Sequence, residues 1–97
     1  MAKVLETKDR TGRTIYLTDE RYAHIKNHPE MQDSLRLIEK AVENPQKITT
    51  FPLDPDIRHF HTYHKNRKSK AKYLRVIVKY VNGEGFIITA FFVVEIV

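Results

Sequence analysis

The 97-residue sequence contains no cysteine and only three glycines and four prolines. The lack of cysteine excludes a disulfide framework and zinc sites built on thiolates. It is also typical of a reducing compartment, so we expect a cytoplasmic protein. Because glycine and proline are scarce and 41% of the residues are hydrophobic, the sequence predicts one folded domain over residues 1–97 rather than a disordered segment.

Long apolar segments are missing as well. The N-terminal sequence MAKVLETKDR lacks the apolar core of a signal peptide. No apolar run is long enough to span a bilayer. We therefore expect no membrane among the partners of this protein.

Acidic residues are absent between Ile57 and Gly83. Residues 1–56 hold nine Lys or Arg and ten Asp or Glu, whereas residues 57–97 hold eight Lys or Arg and two Asp or Glu. A one-sided basic field attracts polyanions and speeds their association. Nucleic acid is the expected partner, and the alternatives are an acidic partner protein or a basic hairpin that like charges keep in solution.

Hydrophobic periodicity predicts two short strands, two helices and four further strands, in that order. Thr18 is the expected N-cap of the first helix, which ends near Asn27 because Pro29 disfavours helical structure at the preceding residue. The order predicts an α+β domain: a small, twisted antiparallel sheet of about four to six strands with two N-terminal helices packed on one face. The predicted strands are 3–7, 13–17, 46–51, 57–64, 71–81 and 86–96, the second helix is 31–43, and the loops include 52–56, 65–70 and 82–85.

The strand 71–81 has two different faces, because alternate residues of a strand point to opposite sides. One row is apolar and should face the core. The other is cationic and aromatic, which suits phosphates and stacked bases. In the alternative interpretation, Arg75 and Lys79 are solvent-facing charges with buried stems. The apolar row is Leu74, Val76, Val78 and Tyr80, and the cationic row is Tyr73, Arg75, Ile77 and Lys79.

Three histidines follow one another on the preceding strand. His59 and His61 should share a face with Tyr63, whereas His64 should point the other way. Two histidines on one face can bind zinc or copper, but the surrounding cations and the lack of neighbouring carboxylates disfavour a metal. The remaining alternatives are an acid, base or phosphate donor and an ordinary surface histidine.

Two further histidines and one threonine are candidates for chemistry. His24 and His28 are four residues apart, a spacing that can place both on one side of a helix. Thr89 lies in the apolar segment IITAFF, either as a β-branched filler or as a hydroxyl that contacts a phosphate. The hairpin loop leaves open whether Thr89 lies opposite Lys79 or Val78.

Three segments of the chain resemble one family of small nucleases. HIKNHPE at residues 24–30 precedes a helix that ends in ENP at 43–45, and YLRVIVKYVNGEGFIITAF follows at 73–91. This order resembles the phage-type branch of the BECR nucleases, which are named for barnase, EndoU, the colicin tRNases and RelE, and it is similar to BrnT-type toxins. The resemblance covers residues 15–92, and the HPE and ITAF motifs are its more specific parts.

The resemblance implies a metal-independent endoribonuclease, with the toxin type among its forms. A base would take the proton of a 2′-hydroxyl, the oxygen would attack phosphorus, and an acid would protonate the leaving oxygen, giving a 2′,3′-cyclic phosphate and a 5′-hydroxyl. The resemblance assigns His24, Arg58 or Lys79, and Thr89 to this reaction. In our hypothesis, His28 or His61 is the counterpart of His24.

The RNA itself would be held by the basic strand and turn. This hypothesis needs no cofactor and no metal, and it leaves open a monomer or a homodimer and an acidic antitoxin as a second partner. The alternatives are a non-catalytic RNA- or DNA-binding module with the same basic face and a toxin-like protein-interaction domain. The predicted nucleic-acid-binding residues are Arg58, Tyr63, Lys65, Arg67, Lys68, Lys70, Lys72, Tyr73 and Arg75.

Overall fold

The structure, a computed structural model, describes residues 2–96, which form a six-stranded sheet with two α-helices and one short 3₁₀-helix. Of the predicted domain 1–97, residues 1 and 97 lie outside the described residues. The strands are β1 Lys3–Lys8, β2 Thr14–Thr18, β3 Lys47–Phe51, β4 Asp54–Tyr63, β5 Tyr73–Val81 and β6 Glu84–Val93, and the helices are α1 Asp19–Ile25 and α2 Leu35–Glu43, with the 3₁₀-helix at Pro29–Met31.

The six strands form one mixed sheet in the order β1-β2-β6-β5-β4-β3. Strands β3 to β6 form an antiparallel meander, and β1 and β2 form a hairpin. The hairpin docks with β2 parallel to β6, through the pairs Ile15–Gly85 and Tyr16–Phe86. The predicted antiparallel sheet was therefore wrong, because local periodicity does not encode the direction in which a distant hairpin docks.

The prediction of two N-terminal helices was also wrong, since the β1–β2 hairpin precedes both helices. The first helix begins at its predicted cap, where the Thr18 hydroxyl accepts a hydrogen bond from the Arg21 backbone N–H at 3.2 Å. This helix packs beside β6 at the point where β2 leaves the sheet. No helix among residues 2–96 is long and apolar enough to cross a membrane.

The second helix starts later than predicted. A 3₁₀ turn at Pro29–Met31 comes first, and α2 begins only at Leu35. The buried Ser34 hydroxyl donates a hydrogen bond to the Met31 carbonyl at 2.6 Å, which satisfies that carbonyl outside a helix. A local side-chain bond of this kind separates the two helical segments that periodicity had joined.

The core lies between α2 and one face of the sheet. Leu74, Val76 and Val78 of β5 are fully buried there, as their alternation predicted, together with Ile38 and Val42 of α2. Each such side chain contributes about 1.5–3 kcal/mol through its burial. The other row of β5 therefore faces away from α2.

The hairpin between β5 and β6 settles the register that the sequence left open. Asn82 and Gly83 have φ values of 54° and 81° and form a two-residue turn instead of the predicted four-residue loop. A bulge then shifts the pairing beside Ile77, so that Thr89 lies opposite Ile77 and not opposite Lys79 or Val78.

Candidate nucleic-acid interface

The face of the sheet opposite α2 carries basic, aromatic and imidazole side chains; we call it the open face. The register of β4, β5 and β6 places His61, Arg75 and Phe91 side by side in one row across it. Both faces of β4 and β5 thus have the composition that alternation predicted. The open face includes Lys47, Thr49, Phe51, Ile57, His59, His61, Tyr63, Tyr73, Arg75, Ile77, Lys79, Phe86, Thr89 and Phe91.

Arg75 is the best-positioned cation of the open face. Its Nε donates a hydrogen bond to His61 Nε2 at 3.0 Å, which fixes the orientation of the guanidinium group. Among residues 2–96, Arg75 forms no ion pair with any carboxylate. Its half-buried positive charge is uncompensated, and its terminal nitrogens are available for a planar, bidentate contact with an anion.

His61 acts as the acceptor that holds Arg75. Its side chain is fully buried, and burial, together with the charge of Arg75, lowers its pKa. Lys47 is the cross-strand partner of His61, and its backbone acts in the opposite direction by raising this pKa. The contact between the Lys47 backbone and the imidazole does not have the geometry of a hydrogen bond. Since Nε2 accepts a hydrogen bond, the proton of the neutral ring lies on Nδ1, which has no partner among residues 2–96.

Two tyrosines form an aromatic platform next to Arg75. Tyr63 of β4 and Tyr73 of β5 are cross-strand partners, with ring centroids 4.9 Å apart and ring planes inclined by 50°. Tyr63 is 45% exposed, so its ring is accessible to a ligand. An aromatic surface beside an arginine is a typical binding surface for unpaired bases.

Strand β3 adds two residues that the sequence reasoning missed. Thr49 is opposite His59, and the ring of Phe51 stacks on that of His59, with centroids 6.3 Å apart and planes inclined by 30°. Burial and the charge of Arg75 lower the pKa of His59, so it is a neutral imidazole at pH 7. The alternation in KITTF could have placed Lys47, Thr49 and Phe51 on one face, but not beside His59.

Lys79 lies on the open face but is already paired. Its Nζ donates to Asp54 Oδ2 at 2.6 Å, and this contact raises the pKa of Lys79 and lowers that of Asp54. The carboxylate occupies the position in which a phosphate would bind. The predicted role of Lys79 as the phosphate-holding cation therefore requires displacement of Asp54.

Arg58 lies on the opposite side of the sheet from Arg75. It is the cross-strand partner of buried Val78, donates to the Pro55 carbonyl at 3.2 Å and lies 5.6 Å from the ring centroid of Tyr80. The structure thus does not bring Arg58 together with His61, although both were predicted for one site.

The predicted basic turn contains two kinds of cation: those that contact the turn itself and those that face the solvent. Arg67 lies over the Phe92 ring at 3.6 Å and donates to the Ala71 carbonyl at 3.0 Å, and Lys72 donates to the Arg67 carbonyl. Both stabilise the turn itself. The exposed cations available to a polyanion are Lys65, Lys68 and Lys70.

The remaining predicted residues lie on α1, just after it and on β6. His24 and His28 are exposed, and the His28 ring lies 6.4 Å from that of Phe91. His61 is on β4, two strand spacings or about 10 Å from β6. Among residues 2–96, no hydrogen bond or ring contact joins His28 to His61. Thr89 is half-buried on β6, diagonal to Arg75 at about 7–8 Å.

Within the described part of the chain, no three His, Asp or Glu side chains form a group that could hold a metal ion. Comparisons with protein-family models, with curated proteins and with solved structures give no match. The resemblance to the BECR nucleases therefore stays a prediction from the sequence motifs.

Proposed function

We propose that the protein binds single-stranded nucleic acid, RNA in particular, on the open face of its sheet. The observation that carries this proposal is Arg75, an uncompensated guanidinium oriented by His61 and flanked by the Tyr63–Tyr73 pair. Arg75 would contact a phosphate in bidentate fashion, and Tyr63 would stack on a base. The outward lysines of the turn, Lys65, Lys68 and Lys70, would follow the flanking phosphates.

Single-stranded nucleic acid is the expected ligand because the Tyr63–Tyr73 platform would contact the flat faces of bases. In a duplex these faces are stacked on neighbouring bases, whereas in a single strand they are free to contact an aromatic ring. The experiment is fluorescence anisotropy with a labelled RNA of about 12 nucleotides, compared with its duplex. Tighter binding of the single strand supports the proposal, and equal or absent binding refutes it.

Salt dependence gives a second readout of the same experiment. Binding through phosphates releases counterions, so the affinity should fall steeply between about 50 and about 200 mM salt. On a single strand, each neutralised phosphate contributes about −0.7 to the slope of log K against log salt. Arg75 and three lysines predict a slope of about −3. A flat response would mean that phosphates are not the ligand.

Metal-independent cleavage of RNA is a second candidate, favoured by His59. This half-buried, neutral imidazole lies on the open face, within reach of the charge of Arg75. His59 would take the proton of the 2′-hydroxyl, and Arg75 would stabilise the charge on the phosphorane. The leaving 5′-oxygen would take its proton from water, because His61 is buried and bound to Arg75.

A cleavage assay in EDTA separates this candidate from binding alone. If His59 is the base, His59→Gln should slow cleavage at least about 100-fold, far more than it weakens RNA binding. His24→Gln, on the α1 side of the sheet, is the control and should leave the rate unchanged. Cleavage that depends on His24 instead would favour the assignment implied by the family resemblance, and no cleavage by the wild type would leave the binding function alone.

A further inference from the structure

A groove beside the edge strand β3 has features that the tyrosine platform does not explain. It has a volume of about 690 Å³ and is open to solvent. Its walls include Thr49 and Phe51 of β3, His59 of β4 and Arg75 of β5. A groove of this size accommodates a ligand as large as a nucleotide.

The wall of this groove holds a buried hydroxyl group that has no hydrogen-bond partner within residues 2–96. It is the hydroxyl of Thr49 on β3. Leaving a buried donor unpaired is unfavourable, and native proteins nearly always pair such groups. Because the Thr49 hydroxyl can donate, the partner that completes it is an acceptor such as a phosphate oxygen.

The same groove has an apolar wall suited to a base. The rings of Phe51 and His59 are stacked, and Phe51 is 38% exposed. The guanidinium of Arg75 lies at the other side of His59, close enough for its charge to act on that imidazole. The Arg75 guanidinium and the aromatic stack therefore line the same groove.

We infer that this groove is a nucleotide subsite, with the phosphate on Arg75 and the Thr49 hydroxyl and the base on Phe51 and His59. The inference rests on the proposed function, because the subsite would hold one nucleotide of the bound strand. The subsite is a second binding position on the open face, distinct from the Tyr63–Tyr73 platform, and it gives β3 a role in binding.

The subsite is tested with adenosine 5′-monophosphate as the probe. In ¹H–¹⁵N correlation spectra, the nucleotide should shift the amide signals of Thr49, Phe51 and His59, whereas adenosine without phosphate should bind at least about tenfold more weakly. Shifts confined to Tyr63 and Tyr73, or no shift at all, would overturn the inference.

Each variant in the groove is paired with a control that makes the same substitution elsewhere, so that an effect on folding is distinguished from an effect on binding. Thr49→Val should weaken nucleotide binding roughly tenfold, whereas Thr14→Val, on β2 and outside the groove, should not. Phe51→Ala should also weaken it roughly tenfold, whereas Phe86→Ala, which removes an equally exposed ring at the far end of the face, should not. Equal effects of the variants and their controls would contradict the subsite.

The 12-nucleotide RNA distinguishes failure of the subsite from failure of the proposed function. If the RNA binds and Tyr63→Ala weakens it while Thr49→Val and Phe51→Ala do not, the groove is no subsite and the proposed function stands. If the wild-type protein does not bind the RNA, both fail.

Discussion

At the residue scale, the proposed interface depends on a hydrogen bond between an arginine and a neutral histidine. His61 is buried and its pKa is lowered, so it remains an acceptor for Arg75 at neutral pH. This arrangement leaves the terminal guanidinium nitrogens for a ligand while fixing their direction. A surface arginine without such a neighbour would lose more side-chain entropy on binding.

The Arg75→Lys variant tests whether the geometry of the guanidinium group contributes to RNA binding in addition to its charge. Lysine keeps the positive charge but has no Nε–H in the position that contacts His61 and no planar fork. We expect RNA affinity to fall about 3- to 30-fold, which titration by fluorescence anisotropy would measure. An unchanged affinity would mean that Arg75 acts only as a point charge.

Part of this site follows from strand alternation alone. Alternation puts Tyr73 and Arg75 on one face, and His61 and Tyr63 on one face, and the structure confirms both. The same rule separates Arg58 from His61, which are three positions apart on β4, and grouping them in one site did not respect it. The pairing of Lys79 with Asp54 could not be predicted, since it depends on the register between β4 and β5.

At the element scale, β4 and β5 form the ligand platform, and their cross-strand tyrosines are its accessible aromatic part. Tyr63→Ala removes a ring that stacks on a base, which is worth about 1–3 kcal/mol per base. RNA affinity should therefore fall about 5- to 150-fold in the anisotropy titration. Tyr63→Phe keeps the ring and should bind nearly as well as the wild type; a large loss in this variant would assign the role to the hydroxyl instead.

A substitution at the junction of β6 with β2 tests the parallel pairing of these two strands. A Cβ at Gly85 would meet Val78 Cγ1 at 2.9 Å and Ile15 Cγ1 at 3.0 Å, both in the buried core. Gly85→Ala should therefore reduce the free energy of unfolding by about 1–3 kcal/mol, measured by urea denaturation.

The control for this variant lies in the neighbouring turn. Asn82 already has a φ of 54°, which glycine adopts without strain, so Asn82→Gly should change the unfolding free energy by less than about 0.5 kcal/mol. An unfolding midpoint of Gly85→Ala equal to that of the wild type would show that β2 does not pack against β6 as described.

At the scale of the whole molecule, the histidines couple stability to pH. Burial, and then a neighbouring arginine, lowers the pKa of His59, His61 and His64 below the ordinary value of 6.5. Each therefore stabilises the folded state fully above about pH 6.5, and this contribution is lost as the pH falls and the unfolded chain takes up protons first.

The resulting prediction concerns unfolding between about pH 7 and about pH 5. The free energy of unfolding should decrease over this range, and His61→Gln should make the decrease smaller, whatever its effect at neutral pH. Urea denaturation at several pH values would measure both slopes. A wild-type stability that rises on acidification would contradict the lowered pKa values.

The arrangement of the whole sheet was the least predictable part of the fold. Periodicity located the strands and the apolar row of β5, because these depend on neighbouring residues in the chain. The mixed sheet depends on contacts between Ile15 or Tyr16 and the distant residues Gly85 and Phe86. The split of the second helix depends on a single hydroxyl, that of Ser34. Neither has a periodic signature.

The affinity of single-stranded RNA for the wild type, Arg75→Ala and Arg36→Ala tests the proposed interface most directly. Arg36 is an exposed arginine of α2, across the sheet from the open face, so its removal changes the net charge equally. We predict salt-sensitive binding by the wild type, a loss of about 10- to 100-fold for Arg75→Ala and little change for Arg36→Ala. Equal affinities for the two variants, or no binding by the wild type, would contradict a nucleic-acid interface centred on Arg75.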